Sequence, residues 1–259
     1  MQPRKQPDYT GLMTETWDFL RSPAADAATN MALDEALLRT AAARGRPLLR
    51  LYSWSRPAIS IGYFQKFPTH LVGAPHLNPL PAGGERRFPS PFVKGEGQGE
   101  GFDQIVRRST GGGLVYHGDG VDTTYTVVVP PDHRLYTMST PDAYCAIHQA
   151  VARAIGNGSQ ITDHQSPLPR TGYDCFQNPV HGDVVADGKK LAGAAQRRTK
   201  WGMLHQGSIA ASVTAEALRR GFTHVLGVEF EVHKCSAAER ALAEKLTREK
   251  YAAAAWNRR

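Results

Sequence analysis

RRSTGGGLVYHG, from Arg107 to Gly118, is the stretch on which the reading of this 259-residue chain turns. Its three consecutive glycines carry no Cβ, so the backbone there can take φ > 0 and come close to a ligand. Bare N–H groups beside fixed positive charge suit a carboxylate, a phosphate or a thioester carbonyl. A plain glycine turn between two strands would use the same residues. The flanking arginines and a second motif downstream weigh against that plainer reading.

The chain is long enough for one large domain, or for one domain with a small appendage. Hydrophobic residues make up 41%, enough for a sizeable core. No apolar run reaches about 18 residues, so no transmembrane helix is expected. The N-terminus has basic residues but no apolar core, so no secretory signal is expected. Cys145, Cys175 and Cys235 are far apart, with no C-x-x-C pair. That spacing argues against a disulfide framework and against a zinc site, and it fits a reducing cytoplasm. The formal charge of +7 favours acidic partners. No helix interleaves basic and aromatic residues, so nucleic acid is not the expected partner.

Working outward from the glycine motif, Gln104 to Arg107 reads as the strand that delivers it, and Thr123 to Val129 as a β-branched strand beyond it. Upstream, residues 74–101 are crowded with Pro and Gly and show no apolar period. They read as a disordered insert. Before it, Leu48 to Trp54 and Ala58 to Gly62 read as strands. Tyr63-Phe64-Gln65 offers aromatics to an apolar pocket, although core packing is the commoner fate of such residues. Ala27 to Arg44 reads as one helix capped by Thr29 or Asn30. On it, Asp34 and Glu35 read as a solvated or first-turn pair. Residues 1–16 read as a weakly ordered lead-in, and 17–259 as one domain.

Downstream, Pro141 to Ile155 reads as a helix. Cys145 and His148 stand i, i+3 on it, too few ligands for a metal. Asp187-Gly188 is the strongest hairpin signal, between Asp183–Asp187 and Lys190–Ala195. Met203 to Ala210 is a further strand. Thr214 to Arg220 and Ser236 to Ala255 read as helices.

The hairpin carries the second motif, DGKKLAGAAQRR, from Asp187 to Arg198. Lys and Arg are usually solvated. Here the small apolar run Leu191 to Ala195 between the charges implies partial burial, and a lysine held near buried backbone has reason to be functional. Cys175 lies in an expected loop, off any apolar periodic face. A thiol becomes reactive when a nearby cation stabilises its thiolate.

With both motifs in view, the sequence resembles the lipoate–protein ligase and octanoyltransferase family, which shares its catalytic fold with biotin–protein ligases. The resemblance runs from about Trp17 to the C-terminus, interrupted by the Pro/Gly insert. It rests on NMALDEALL, LRLYSWSRPAISIGYFQ, RRSTGGGLVYHG, GKKLAGAAQRR with HQGSI, and a KYAAAAWN ending. A biotin-ligase type of GRGR-x-G loop is lacking, which makes biotin the weaker ligand.

The resemblance implies an α/β (α+β) fold with a mixed, largely antiparallel sheet and flanking helices. It places an acyl or acyl-adenylate site at Arg108, Gly111, Gly112, Gly113, Leu114, Val115, Tyr116, His117 and Gly193. Lys190 matches the family's active-site lysine, and Lys189 would be a neighbour without that role. Cys175-Phe176 followed by Lys190 is similar to the cysteine-type octanoyltransferases. Those take octanoate from acyl carrier protein through an enzyme thioester and need no cofactor. In that reading Lys190 would lower the Cys175 thiol pKa. The expected acceptor is a lipoyl-domain protein, such as glycine cleavage H protein or a 2-oxoacid dehydrogenase E2. A monomer is expected, and the chain leaves no room for the extra C-terminal domain of many ligases.

Two alternatives stay open at this point. One is an ATP- and Mg²⁺-dependent lipoate–protein ligase acting through lipoyl-adenylate, with Cys175 merely packed. The other is an inactive acyl- or protein-binding module.

Overall fold

The N-terminal half of the chain forms β1 (Glu15–Arg21), α1 (Ala27–Arg39), α2 (Ala41–Arg44), β2 (Leu48–Tyr52), β3 (Ala58–Ile61), β4 (Gln104–Arg107), β5 (Val115–His117) and β6 (Thr123–Val129). There follow α3 (Arg134–Thr137), α4 (Thr140–Ile155), β7 (Gln160–Ile161), β8 (Val184–Ala186), β9 (Lys189–Thr199) and β10 (Gly202–Ile209). The chain continues through α5 (Ala215–Leu226), β11 (Val228–Val232), α6 (Ala237–Leu246), a π-helical turn (Thr247–Tyr251) and α7 (Ala254–Asn257). The computed structural model describes residues 15–69, 72, 104–118, 122–156, 158–162 and 180–259. The expected insert at 74–101, most of the N-terminal lead-in, and Cys175 with its neighbours lie outside the described residues.

Among the described residues the main sheet has eight strands in the order β11-β1-β2-β6-β10-β9-β8-β7. β1 pairs in parallel with β11 and β2. The other pairings are antiparallel, which bears out the expected mixed, largely antiparallel sheet. A second sheet has the order β4-β3-β5 and carries the glycine motif between β4 and β5.

Strand alternation distributes the core over both faces of the main sheet. Val127 and Val129 of β6 point with Trp17, Leu49 and Met203 into a cluster closed by Ile147 and Val151 of α4 and Phe222 of α5. Val128 points the other way, with Leu48 and Leu204, against Leu37 and Leu38 of α1. Further along that second face, Met31, Ala32 and Ala36 of α1 pack with Tyr52, Trp54, Val106, Leu246 and Tyr251.

Several local expectations are corrected. The helix begins one residue after Asp26, whose carboxylate accepts from Thr29 N at 2.8 Å. Asp26 is therefore the cap, and Asn30 is buried instead, donating from Nδ2 to Ala25 O and Ser53 O. The expected single helix divides at Thr40 into α1 and α2. Asp34 and Glu35 are not a solvated pair: both are buried. Asp34 pairs with Arg50 at 2.6 Å. Glu35 takes Lys250 Nζ at 2.6 Å and Tyr251 OH at 2.5 Å.

The expected long C-terminal helix is α6, the π-helical turn and α7 in succession. That widened turn is what carries Lys250 and Tyr251 onto Glu35. A capping box between Ser236 and Glu239 starts α6. The hairpin at Asp187-Gly188 is as expected: φ is 49° at Asp187 and 71° at Gly188, the paired positive values of a two-residue β-turn matched to strand twist.

Candidate active site

Arg107 and Arg108 leave β4 side by side and do different work. Arg107 is fully buried. Its Nη1 donates to Gly62 O, Tyr63 O and Gln65 O at 3.1, 3.0 and 2.6 Å, and its Nη2 to Asn257 O and Arg259 O at 3.0 and 2.9 Å. It thus ties the root of the glycine loop to the C-terminal segment. Arg108 points inward. Nη1 donates to Ser60 O at 2.8 Å and Ser60 Oγ at 2.7 Å, and Nη2 to Gly111 O at 3.0 Å and Gly113 O at 2.8 Å. The guanidinium therefore braces the loop from within. Gly112 between those two carbonyls has φ 85°, a conformation that would strain any residue bearing a Cβ.

The glycine loop, β3, β5 and the β9–β10 pair wall a narrow cavity. Met31, Tyr52, Trp54, Val115, Ala194 and Ala195 give its apolar lining. Ser60, Arg108, His117, Thr124, Gln206 and Ser208 supply polar atoms. His117 stacks on Trp54 with ring centroids 4.0 Å apart. Its Nε2 lies 2.7 Å from Ser60 Oγ, and its Nδ1 lies 3.4 Å from Asp122 Oδ2.

Lys190 approaches this cavity from β9. Its side chain is 2% exposed, and Nζ lies 2.7 Å from Oδ2 of the fully buried Asp183. Gly193, which lines the cavity, makes the lysine's path possible. A Cβ there would stand 2.5 Å from Lys190 Cε and 2.6 Å from Nζ. Asp183 Oδ1 accepts from Tyr144 OH at 2.6 Å. Burial first, and then the Asp183 carboxylate beside it, pushes the Tyr144 hydroxyl well above the usual phenol range. Burial likewise lowers His148 to about 4, and holds His205 well below the ordinary imidazole value. At neutral pH these rings are uncharged neighbours of the ion pair.

Of the residues expected around an acyl site, Arg108, Gly112, Val115, His117 and Gly193 line the cavity. Gly111 and Gly113 contribute carbonyls to Arg108. Leu114 and Tyr116 pack instead with Ile59 and Ile61, on the opposite side of the small sheet from Val115 and His117. Cys175 lies outside the described residues. The expectation that Tyr63-Phe64-Gln65 lines a pocket is corrected. Phe64 is 88% exposed, and Tyr63 lies against Arg259 and Trp256. The aromatic lining comes from Tyr52 and Trp54, a strand earlier.

Sequence reasoning gave no role to Asp183 or Ser60, and took Arg107 only as positive charge flanking the glycine motif. The only available signal was their place in or beside the two motifs. Cys145 and His148 do not converge on a metal. Cys145 Sγ lies 3.5 Å from His181 Nε2, and His148 Nδ1 lies 2.6 Å from Gly182 O. Among the described residues His233, Cys235 and Glu239 bring possible ligand atoms within 4.8 Å of one another. Two of those groups are already paired: His233 contacts Asp18 and Glu239, and Arg44 contacts both carboxylates. The cluster clasps α6 to β1 and α2.

The fold defined by these elements is that of the lipoate-protein ligases. A crystal structure of lipoate-protein ligase A bound with ATP superposes with a TM-score of 0.66 at 22% identity, covering 95% of this chain and 99% of that one. A bi-partite lipoate protein ligase from Thermoplasma acidophilum, studied with its E2 lipoyl domain, gives 0.63 at 21% identity, with 95% and 97% covered. At these identities the likeness is one of fold. In sequence, Octanoyltransferase LipM of Oceanobacillus iheyensis is 35% identical over 214 residues, spanning 80% of this chain and 68% of the relative. A family model described as Lipoyl protein ligase A/B catalytic domain matches residues 26–249. The chain belongs to that family and is an enzyme. Among the described residues no helix is long and apolar enough to cross a membrane.

Proposed function

We propose that this enzyme moves an octanoyl group from a carrier-protein thioester to the lysine of a lipoyl domain, by way of a thioester on Cys175. The observation that carries the reading is the cavity itself. It is apolar along Met31, Trp54 and Ala194-Ala195, with the Lys190 ammonium folded over Gly193 at its wall. An octanoyl chain suits the lining, and a hydrogen-bond donor stands where the acyl carbonyl would enter.

In the first step the Cys175 thiolate attacks the thioester carbonyl. A new C–S bond forms, the carrier's C–S bond breaks, and the carrier leaves as a thiolate that takes up a proton. In the second step the neutral amine of the lipoyl-domain lysine attacks the acyl-enzyme. The amide forms, Cys175 departs as thiolate, and the amine's surplus proton restores its thiol. The amide lies well below the thioester in energy, so no ATP is consumed.

Donors aimed at the oxyanion in such steps are commonly worth roughly 3 kcal/mol each. Lys190 enters as half of an ion pair, so its contribution is a fixed donor more than an isolated charge. Val180 N donates to Asp183 Oδ2 at 2.7 Å, and Thr162 N to Asp183 O at 2.8 Å. Both contacts anchor the chain flanking the Cys175 segment beside Lys190. From Val180 back to Cys175 an extended chain spans at most about 18 Å. Acidic carrier and lipoyl domains would suit the net charge of +7. Arg108 and Lys190 are both engaged by protein groups, which favours this route over neutralisation of an adenylate by the same cations.

The test is the intact mass of the purified protein after incubation with octanoyl-carrier protein, without ATP. The expected result is an octanoyl adduct on Cys175 that a lipoyl domain discharges and that Cys175→Ala cannot form. Lipoate transfer only with ATP and Mg²⁺, surviving Cys175→Ala, would make the enzyme a ligase. An adduct on Cys145 would move the nucleophile to the thiol beside His181.

A further inference from the structure

We infer that Asp183 is the positioning residue of this site, holding the Lys190 side chain in place and directing its Nζ across Gly193. The inference rests on Lys190 acting in acyl transfer, as proposed above. Its evidence is the geometry of the carboxylate. One oxygen, Oδ2, takes the lysine at 2.7 Å and the Val180 N–H at 2.7 Å. The other, Oδ1, takes the Tyr144 hydroxyl at 2.6 Å. Tyr144 is in turn tied to β9, its oxygen accepting from Ala194 N at 2.9 Å and lying 3.2 Å from Ala194 O. The carboxylate therefore has fixed contacts on three sides, from α4, from the Val180 turn and from Lys190.

The direction of the lysine follows from that fixture. A free lysine has a flexible four-carbon stem and a mobile point charge. Here Cε and Nζ lie over Gly193, where a Cβ would stand, and that same Cβ would be 3.4 Å from Asp183 Oδ1. The titratable groups around the pair are Tyr144 and His148 from α4, Tyr125 from β6, His205 from β10, and His181 beside Gly182. His148, at about 4, is uncharged at neutral pH and does not compete with Lys190 for the carboxylate. The tyrosine hydroxyls stay protonated, so Tyr144 remains a donor.

A buried carboxylate without its cation, or the cation without its carboxylate, is costly in such a place. In Asp183→Asn the lysine loses its counterion and faces an amide that can turn its N–H₂ towards it. Lys190 Nζ is then no longer fixed and leaves its seat over Gly193, where reagent can reach it.

The experiment reads Lys190 directly in the full chain. Wild type, Asp183→Asn, Asp183→Glu and Tyr144→Phe are treated with the N-hydroxysuccinimide ester of acetate at pH 8. Lys190 and Lys189 acetylation are then measured by peptide mass spectrometry, Lys189 serving as the internal control. The expected result for Asp183→Asn is a roughly tenfold or greater rise in the Lys190-to-Lys189 labelling ratio. Octanoyl transfer should fall at least a hundredfold in kcat with little change in KM for the carrier substrate. Asp183→Glu should recover part of both. Tyr144→Phe, the milder change, should move the ratio in the same direction should Asp183→Asn fail to fold. An unchanged ratio in folded Asp183→Asn or Tyr144→Phe overturns the inference. If the protein proves to transfer acyl groups by another route, the labelling ratio still decides the role of Asp183 separately.

Discussion

Asp34 Oδ2 accepts a hydrogen bond from Gln206 Nε2 at 2.7 Å, and through it α1 is joined to the glycine loop. Gln206 Oε1 in turn takes Thr110 Oγ1 at 2.7 Å. The same carboxylate takes Arg50 Nη1 at 2.6 Å, Thr126 Oγ1 at 2.9 Å and Tyr52 OH at 3.2 Å. A single buried acid thus sets the positions of a helix, three strands and the loop that walls the cavity.

Asp34→Ala leaves the Arg50 guanidinium, itself 1% exposed, without its carboxylate. Removing one member of a buried pair costs about 3–5 kcal/mol. Urea denaturation should show a loss of that size. An unchanged midpoint would mean that water or another group satisfies Arg50.

Gly193→Ala tests the lysine's seat without touching the fold. The added Cβ meets the far end of a flexible side chain, so the backbone need not move and Lys190 is displaced instead. Transfer should drop ~100-fold, the usual scale for a small misplacement of a reacting group. The thermal midpoint should also fall, because the displaced lysine leaves the buried Asp183 carboxylate without its cation. Full activity in the variant would show that Lys190 works from another position.

Acid should destabilise the protein through His148. Its Nδ1 lies 2.6 Å from Gly182 O and its Nε2 has no hydrogen-bond partner, so protonation would bury an unpaired N–H. Burial holds the folded value at about 4, below the ordinary 6.5. Between these values the unfolded chain binds a proton that the folded chain does not. The stabilising contribution is therefore complete above pH 6.5 and is lost as pH falls through about 4, a change on the order of 3 kcal/mol. Guanidinium titrations at pH 7, 5.5 and 4 should trace it, and His148→Asn should flatten the slope. An equally steep slope in that variant would assign the effect to other groups.

Arg107→Lys should loosen the C-terminal segment. A lysine cannot reproduce the guanidinium fork that reaches six backbone oxygens. Each carbonyl left unpaired inside the protein costs roughly 1–3 kcal/mol. Hydrogen exchange at Ala254 to Asn257 should accelerate in the variant, with the main sheet unchanged. Protection equal to wild type would mean that α7 is held by its aromatic and Lys250 contacts.

Elements whose signal lies in adjacent residues were legible in the sequence. The β-branched run of β6, the Asp187-Gly188 turn, and the order of the glycine and lysine motifs carry their own instructions. Asp34 and Glu35 were misread because an acidic pair beside Leu33 looks like the wet face of an amphipathic helix. Apart from Arg39, which pairs with Glu35 within α1, their partners stand at Arg50, Tyr52, Thr126, Gln206, Lys250 and Tyr251, far from them in the chain. Tyr63 and Phe64 were misread because aromaticity alone does not say which side of a turn a ring will face.

The sequence by itself determined the family, the mixed sheet, the glycine loop and the hairpin that presents Lys190. The glycine loop and the hairpin follow from local conformational preference, which survives in a linear string; the family and the mixed sheet follow from the resemblance that the motifs carry. Only the tertiary structure decided that Arg107 holds the C-terminal segment, that Arg108 braces its own loop, and that Lys190 is paired with Asp183. A buried charge is stable only beside its partner, and which partner it meets depends on how strands and helices distant in the chain come together.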